Sequence, residues 1–293
     1  MNLCILLFLF KYVFSSTNDD SYNTYYGSND MSTDMSTDDI IIEPNDDFFY
    51  THNVLNMNYL RRRAIACNSA TTNKLVDWTG VYTSQVKNAG FCLGAGWAFA
   101  AVDQVESDTV RIHGTGYKYV LSPQQLLDCV AYNNGCSGGK IERAYDYLLT
   151  NGLEQSNNYP YGSFMGITQR CNTVTNLAVT KVSGYYNFLT GNEGCMARYV
   201  QTTGPITVCL STSLSWYTYT GGIMTLNSCP ATSNINHCLQ VVGVYPNVNG
   251  GYWKLKNSFG TGWGEQGHIR IAYGSNVCNI VSNPIHTVTQ VDF

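Results

Sequence analysis

The sequence is short of charge, and it lacks motifs on which several classes of protein depend. Only 12% of its 293 residues are Asp, Glu, Lys or Arg. No Asn-x-Ser/Thr triplet occurs, so N-linked glycosylation is not expected. The 11 cysteines include no Cys-x-x-Cys pair. They therefore indicate disulfides formed in an oxidising compartment, and we expect neither a metal nor another cofactor.

Positive charge is absent from one long stretch of the chain. Residues 17–60 contain nine acids and no Lys or Arg, which predicts a solvated, disordered segment. In residues 64–293, by contrast, 12 basic side chains accompany 11 acidic ones. That balance gives no reason to expect binding to nucleic acid or to a membrane.

Apolar runs are too short to cross a bilayer. Leu3–Phe10 is an apolar run of eight residues that Lys11 interrupts, and the small residues Ser15 and Ser16 come after it. It predicts a secretory signal peptide over residues 1–15, and hence a secreted, extracellular protein. Residues 16–63 then form a predicted short acidic pro-segment. It ends at three arginines, 61–63, which indicate either a processing point or an exposed basic turn.

The remaining chain shows helices followed by strands. Apolar residues one turn apart predict a buried central helix over 97–111. Ser122 followed by Pro123 predicts the start of a second helix, and residues 141–149 predict a third that stops before Gly152. Strands are predicted at 205–211, 238–246, 252–258 and 268–273.

Several short motifs indicate a family. Residues 86–99 read V-K-N-A-G-F-C-L-G-A-G-W-A-F, residues 236–244 place Asn-His before an apolar run, and residues 252–260 read Y-W-K-L-K-N-S-F-G. Further motifs lie at 126–129, 135–139, 159–161 and 263–267. In this order, over about residues 75–285, they resemble the papain-like cysteine peptidase family.

The resemblance implies an α+β, papain-like two-domain fold over residues 64–293. A helical left domain at about residues 90–175 would face an antiparallel β-barrel right domain at about residues 176–293. The cleft between the two domains would hold the functional site, and we expect a monomer.

The same resemblance shows what the site has lost. The family pattern is Gln-Gly-x-Cys-Gly-Ser-Cys-Trp-Ala-Phe, and its second cysteine is the nucleophile. Alignment on residues 97–99 places Gly96 at that cysteine; alignment from residue 86 places Ala89 at the glutamine of the oxyanion hole, with one extra residue near Leu93. Losing a nucleophile lowers kcat by about 10⁶, and losing an oxyanion donor by roughly a further 10²–10³. The resemblance therefore implies that proteolysis is lost.

His237 and Asn257 match the family's general base and the residue that orients it, and Phe259 replaces the usual tryptophan beside them. This pair either binds a ligand or persists as a satisfied polar pair in the cleft wall. A third hypothesis is that the amides at the start of helix 97–111, beside His237, hold an anion or a peptide carboxylate.

The resemblance also indicates where a peptide would lie. Gly138 and Gly139 would keep a backbone edge that pairs with an extended peptide. Next to them, Lys140 gives either a cationic pocket rim or a solvated lysine. Ile141, Trp263, Cys209 and Cys238 complete the implied substrate-binding residues. The two cysteines match the floor of the pocket for the second substrate side chain, as a disulfide or as two buried thiols.

Disulfide pairs follow from the family framework. The pairs implied directly are Cys92–Cys136, Cys129–Cys171 and Cys229–Cys278. Cys209–Cys238 is tentative, and Cys67–Cys195 then follows by elimination. Residues 66–69 resemble the extra amino-terminal cysteine segment of group 1 mite allergens, a branch that includes paralogues without the nucleophile.

Three functions remain open. The first is a secreted pseudo-protease that acts by binding a peptide or protein ligand in its cleft, as a decoy or inhibitor-like protein. The second is a cysteine endopeptidase with an atypical nucleophile such as Cys92. The third is a structural or storage protein, for which the 22 tyrosines are weak compositional support.

Overall fold

The computed structural model describes residues 63–65, 71–188, 191–247 and 249–293. The predicted signal peptide and all but the last residue of the predicted pro-segment lie outside the described residues. Cys67, and with it the tentative Cys67–Cys195 pair, lies outside them too. No helix in the described ranges is both long and apolar enough to cross a membrane.

Three of the five helices come before eight of the ten described strands, in an α+β arrangement. The helices are α1 (Gly96–His113), α2 (Pro123–Cys129), α3 (Ile141–Thr150), α4 (Glu193–Thr202) and α5 (Leu214–Tyr217). The strands are β1 (Arg63–Ile65), β2 (Val76–Asp77), β3 (Leu153–Glu154), β4 (Ala178–Phe188), β5 (Ile206–Leu210), β6 (Ile223–Met224), β7 (His237–Tyr245), β8 (Tyr252–Lys256), β9 (His268–Ala272) and β10 (Asn283–Gln290).

The described strands form one sheet in the order β1-β4-β10-β5-β7-β8-β9-β6, with β2 on β7 and β3 on β4. Its pairs are antiparallel except β1 with β4 and β6 with β9. The four predicted strands are β5, β7, β8 and β9, so the pattern of alternating and apolar runs located each of them. One apolar core packs around α1 to α3. A second apolar core includes buried side chains of β5, β7, β8 and β9.

The start of α2 agrees with its sequence signal. Ser122 caps α2, since its Oγ accepts a hydrogen bond from the Gln125 amide at 3.1 Å, and Pro123 is the first helical residue. Gln125 does not reach back to complete a capping box. Its side chain bonds the backbone of Gly152 and Glu154 instead, and so ties α2 to β3.

Helix α1 is buried on every side, from Gly96 through Val110. Its burial includes Asp103 and Glu106, and unpaired buried carboxylates would be strongly unfavourable. The Lys87 Nζ lies 2.6 Å from a carboxylate oxygen of each acid, and the Lys256 Nζ lies 3.1 Å from Asp103. Two lysines thus compensate the charges of the two buried acids of α1.

Candidate functional site

The site forms where the segment before α1 meets the segment after β8. The Ala89 amide donates to the Ser258 carbonyl at 2.8 Å, and the Gly260 amide donates to the Lys87 carbonyl at 3.0 Å. Ala89 is buried, and its own carbonyl accepts from the Tyr161 hydroxyl at 2.8 Å. The residue predicted at the oxyanion position therefore lies against Ser258, which follows Asn257 in the chain, with a methyl group as its only side chain.

His237 and Asn257 are brought together by neighbouring antiparallel strands. His237 is the first residue of β7, and Asn257 directly follows β8. Their contact joins His237 Nε2 to Asn257 Oδ1 at 2.9 Å. Both side chains are buried, and their roles as base and orienting residue stay predictions.

The hydrogen bonds around Asn257 determine the tautomer of His237. The Ser258 amide, which can only donate, lies 2.8 Å from the same Asn257 Oδ1. That atom is therefore the amide oxygen, and His237 Nε2 must carry the proton that it donates. Burial lowers the pKa of His237 below its usual value, and the bond to Asn257 offsets this only in part. The ring is therefore neutral at pH 7, with a lone pair on Nδ1.

That lone pair points at Gly96. A Cβ atom added to Gly96 would lie 2.5 Å from His237 Nδ1, 2.8 Å from its Cε1 and 3.0 Å from the Cys238 carbonyl oxygen. Non-bonded heavy atoms at optimal separation stay about 3.5–4.0 Å apart. The imidazole therefore occupies the space that any side chain at residue 96 would enter.

Aromatic rings enclose the imidazole on its outer side. Phe259 lies 5.3 Å from the His237 ring, and Trp216 makes an edge contact at 6.5 Å. Trp263, predicted to bind substrate, reaches this group through Phe259 at 5.4 Å and Trp216 at 6.2 Å. Sequence reasoning missed Trp216, because one tryptophan on a four-residue helix carries no motif.

The turn that contains Gly138 and Gly139 packs against the start of α1. The Gly94 amide donates to the Cys136 carbonyl at 2.9 Å, and Trp97 Nε1 donates to the Gly135 carbonyl at 3.2 Å. These bonds hold the turn against the start of α1. Gly139 is exposed, and its amide and carbonyl bond no other described residue.

The two residues after this turn differ in exposure. Lys140 is exposed and Ile141 is buried. Lys140 enters no ion pair with a described residue. Of the two interpretations of Lys140, its exposure favours the solvated lysine.

Four disulfides lie among the described residues. Cys92–Cys136, Cys129–Cys171 and Cys229–Cys278 have Cα separations of 4.6, 4.8 and 4.9 Å, which confirms the pairs implied by the resemblance. Cys209–Cys238 is also a disulfide, with Cα atoms 4.0 Å apart. The separation is short because the two residues are direct partners on β5 and β7.

The start of α1 has no side-chain cap. The hypothesis that the amides at this helix start hold an anion or a peptide carboxylate stays a prediction. The His237 ring lies against Gly96 at the same place. No cluster of three or more His, Cys, Asp or Glu side chains suited to a metal occurs within the described ranges.

Comparisons with known proteins place this geometry among cysteine proteases. The family model described as "Papain family cysteine protease" matches residues 72–288. The chain is 37% identical over 221 residues to a cathepsin L-like proteinase of Fasciola hepatica, covering 74% of this chain and 65% of that protein. It is 32% identical over 287 residues to fruit bromelain of Ananas comosus, covering 94% and 76%.

A solved structure agrees with these relatives. Digestive procathepsin L 3 of Tenebrio molitor larval midgut superimposes with a TM-score of 0.71 at 31% identity, covering 78% of this chain and 74% of that one. The chain spans less than two thirds of the Fasciola proteinase, at 65% of its length.

Proposed function

Because the chain belongs to the papain family of cysteine proteases, we propose that it is a secreted member that binds peptide segments in its cleft without hydrolysing them. The matching family model is described as a cysteine protease family and the Fasciola relative is named a proteinase, so the ligand class of the family is a polypeptide. Binding without cleavage keeps that ligand class and removes the covalent step.

The observation that carries the proposal is the contact between Gly96 and His237. Thiol attack requires a sulfur atom at the start of α1, beside a histidine that takes its proton. Residue 96 offers only hydrogen, and the His237 ring fills the adjacent space, with Nδ1 2.5 Å from where a Cβ would lie. A water molecule or another nucleophile would need that same volume.

Ala89 supports the same conclusion. An oxyanion hole stabilises the charge that develops on the carbonyl oxygen in the transition state, and one donor contributes about 10²–10³ in kcat. The methyl group of Ala89 donates nothing. Two independent requirements of the reaction are therefore unmet on the same wall of the cleft.

Features needed for binding remain. The free amide and carbonyl of Gly139 offer a donor and an acceptor to an extended backbone. The Cys209–Cys238 disulfide lies next to His237 in β7 and stiffens that side of the site. The four described disulfides also support an oxidising, extracellular location.

The alternative nucleophile meets a specific obstacle. The Cys92 sulfur is bonded to Cys136, and the residue has no exposed surface. It is not a thiolate in this state. Nothing in the structure favours the structural or storage function over binding.

Two measurements test the proposal. The first is turnover of a fluorogenic dipeptidyl coumarin amide by the wild type, with His237→Ala as the control. We expect no difference between the two proteins and no effect of a thiol alkylator. Turnover that the alkylator abolishes would overturn the proposal.

The second measurement separates binding from catalysis. A fluorescein-labelled apolar heptapeptide is titrated with the protein and followed by fluorescence anisotropy, beside a matched peptide N-methylated at alternate amides. Because pairing with Gly139 needs free peptide amides, we expect the methylated peptide to bind at least tenfold more weakly. Equal affinities, or no binding of either peptide, would contradict peptide binding in the cleft.

A further inference from the structure

Two neighbouring loops expose large apolar side chains to water. Met165 is 70% exposed and Ile167 is 73% exposed. Phe91, Leu93 and Phe164 are also exposed. These five residues, here called the apolar patch, lie outside both apolar cores and take no part in the site around His237. Contiguous exposed apolar surface on a folded protein marks an interaction site more often than single exposed residues do.

The patch is held rigidly. The Phe91 amide donates to the Phe164 carbonyl at 2.8 Å, and the two rings lie 6.4 Å apart. Gly166, at φ +83°, brings its backbone against the Phe91 carbonyl, where a Cβ would lie 3.0 Å from the oxygen. Gln124 Oε1 accepts from the amides of Gly162 and Ser163 at 2.9 Å. The apolar side chains are therefore presented by a preformed backbone.

The loops that carry the patch contain no acidic residue. Residues 78–102, 129–141 and 155–192 lack Asp and Glu entirely. The second of these stretches joins the patch through Gly94, whose amide bonds the Cys136 carbonyl at 2.9 Å. Two exposed cations, Lys140 and Arg170, lie on these stretches and form no ion pair with a described residue.

Several carboxylates bond residues of these stretches; Asp103, Glu106 and Glu154 are buried, and Asp128 and Asp146 are half-buried. Asp128 is half-buried, and its oxygens already accept from Gln124 Nε2 at 2.9 Å, the Gln169 amide at 2.7 Å and the Tyr159 hydroxyl at 3.0 Å. Its charge is engaged within the loop. The fully exposed charges that these stretches carry, Lys140 and Arg170, are therefore positive.

We propose that the apolar patch and its cations bind the surface of an anionic lipid bilayer. Exposed apolar side chains enter the boundary between headgroups and acyl chains, and nearby Lys and Arg are attracted to anionic headgroups. The balance of charge over residues 64–293 predicted no membrane binding, but that count averages over all faces of the protein.

Other occupants fit the patch less well. A second copy of the chain, packed patch to patch, would bring Lys140 and Arg170 against the same cations of its partner. An extended peptide needs free backbone groups, whereas the amides of Phe91, Ser163 and Gly166 are already bonded. A bilayer needs neither a groove nor free amides.

The test is cosedimentation with vesicles of phosphatidylcholine alone and of phosphatidylcholine with 30% phosphatidylserine. We expect the wild type to bind the anionic vesicles. Met165→Asn with Ile167→Asn should weaken that binding at least tenfold. Arg170→Gln should weaken it about fivefold, on anionic vesicles only. The matched control is Val120→Gln, at a residue 57% exposed outside the patch, and it should bind as the wild type does.

Three outcomes would overturn the proposal. The wild type could fail to bind anionic vesicles, or the Met165→Asn, Ile167→Asn variant could bind as the wild type does. Sedimentation velocity could instead show a wild-type dimer that this variant dissociates, which would assign the patch to a second copy. Circular dichroism of each variant checks folding, and the substituted side chains are exposed. Vesicle binding does not depend on catalysis or on the cleft, so its result is independent of the proposed function.

Discussion

Gly96→Ala tests whether the imidazole of His237 fills the space of the missing side chain. The backbone of Gly96 has no positive φ, so alanine is compatible with it. By helix propensity alone, the change from glycine to alanine in a helix would stabilise the protein by up to about 1 kcal/mol.

The structure predicts the opposite sign. The added methyl carbon would lie 2.5 Å from Nδ1 and 2.8 Å from Cε1 of the His237 ring. That ring is held by Asn257 and Phe259 and cannot move without breaking a hydrogen bond or an aromatic contact. Overpacking of this kind costs about 1–3 kcal/mol. We therefore expect Gly96→Ala to lower the free energy of unfolding by about 1–2 kcal/mol.

A double-mutant cycle isolates the contact. Urea unfolding is measured for the wild type, Gly96→Ala, His237→Ala and the double variant, with circular dichroism as the signal. In the His237→Ala background the methyl group enters vacated space, so its unfavourable effect should disappear. We expect a coupling free energy of about 1–3 kcal/mol, as for residues in direct contact.

A matched substitution gives the baseline. Gly116→Ala adds the same methyl group where no heavy atom lies within 4 Å, and it should change stability by less than about 0.5 kcal/mol. If Gly96→Ala were neutral or stabilising in the wild type, or if the cycle showed no coupling, the packing of His237 against residue 96 would be refuted.

Three further predictions follow from the buried groups. Lys256→Met should lower the free energy of unfolding by about 3–5 kcal/mol in urea, because Asp103 loses a buried partner, and adding Asp103→Leu should recover part of that loss. Burial lowers the pKa of His286 to about 4 from 6.5, so as the pH falls the unfolded chain takes up a proton on this histidine before the folded chain does. The free energy of unfolding should therefore fall by up to about 3 kcal/mol between pH 6.5 and pH 4. His286→Gln should flatten that part of the pH profile. Replacing both Cys209 and Cys238 by serine opens a loop of 29 residues and should lower the free energy of unfolding in urea by about 3–4 kcal/mol. In each of these three experiments, an unchanged free energy of unfolding would contradict the role given to the substituted group.

Local patterns in the chain were enough to locate helices α1 to α3 and four of the ten described strands. Alternating apolar residues predicted β5 and β7 to β9 within two residues at each end. The Ser122-Pro123 signal predicted the start of α2. These signals suffice because strand alternation and helix capping depend on residues close together in sequence.

The pairing that makes the predicted burial of α1 tolerable was not predictable in the same way. Asp103 and Glu106 lie between the apolar residues that predicted a buried helix, and that pattern supplies no partners for their charges. The structure buries both acids because Lys87 and Lys256 approach from segments far away in sequence. Which lysine compensates which buried acid is decided only when the chain folds.

Some features of the candidate site follow from the sequence alone, and others depend on the tertiary structure. The sequence alone determined that residue 96 is a glycine, that residue 89 has no donor in its side chain, and that a histidine and an asparagine follow in family order. Only the tertiary structure decided that Cys209 and Cys238 are bonded, since the register of β5 against β7 makes them partners. It alone placed the His237 ring against Gly96 and gathered the exposed side chains of two distant loops into one patch. Identity and order are local properties of a chain, whereas the volume a ring occupies depends on every segment that packs around it.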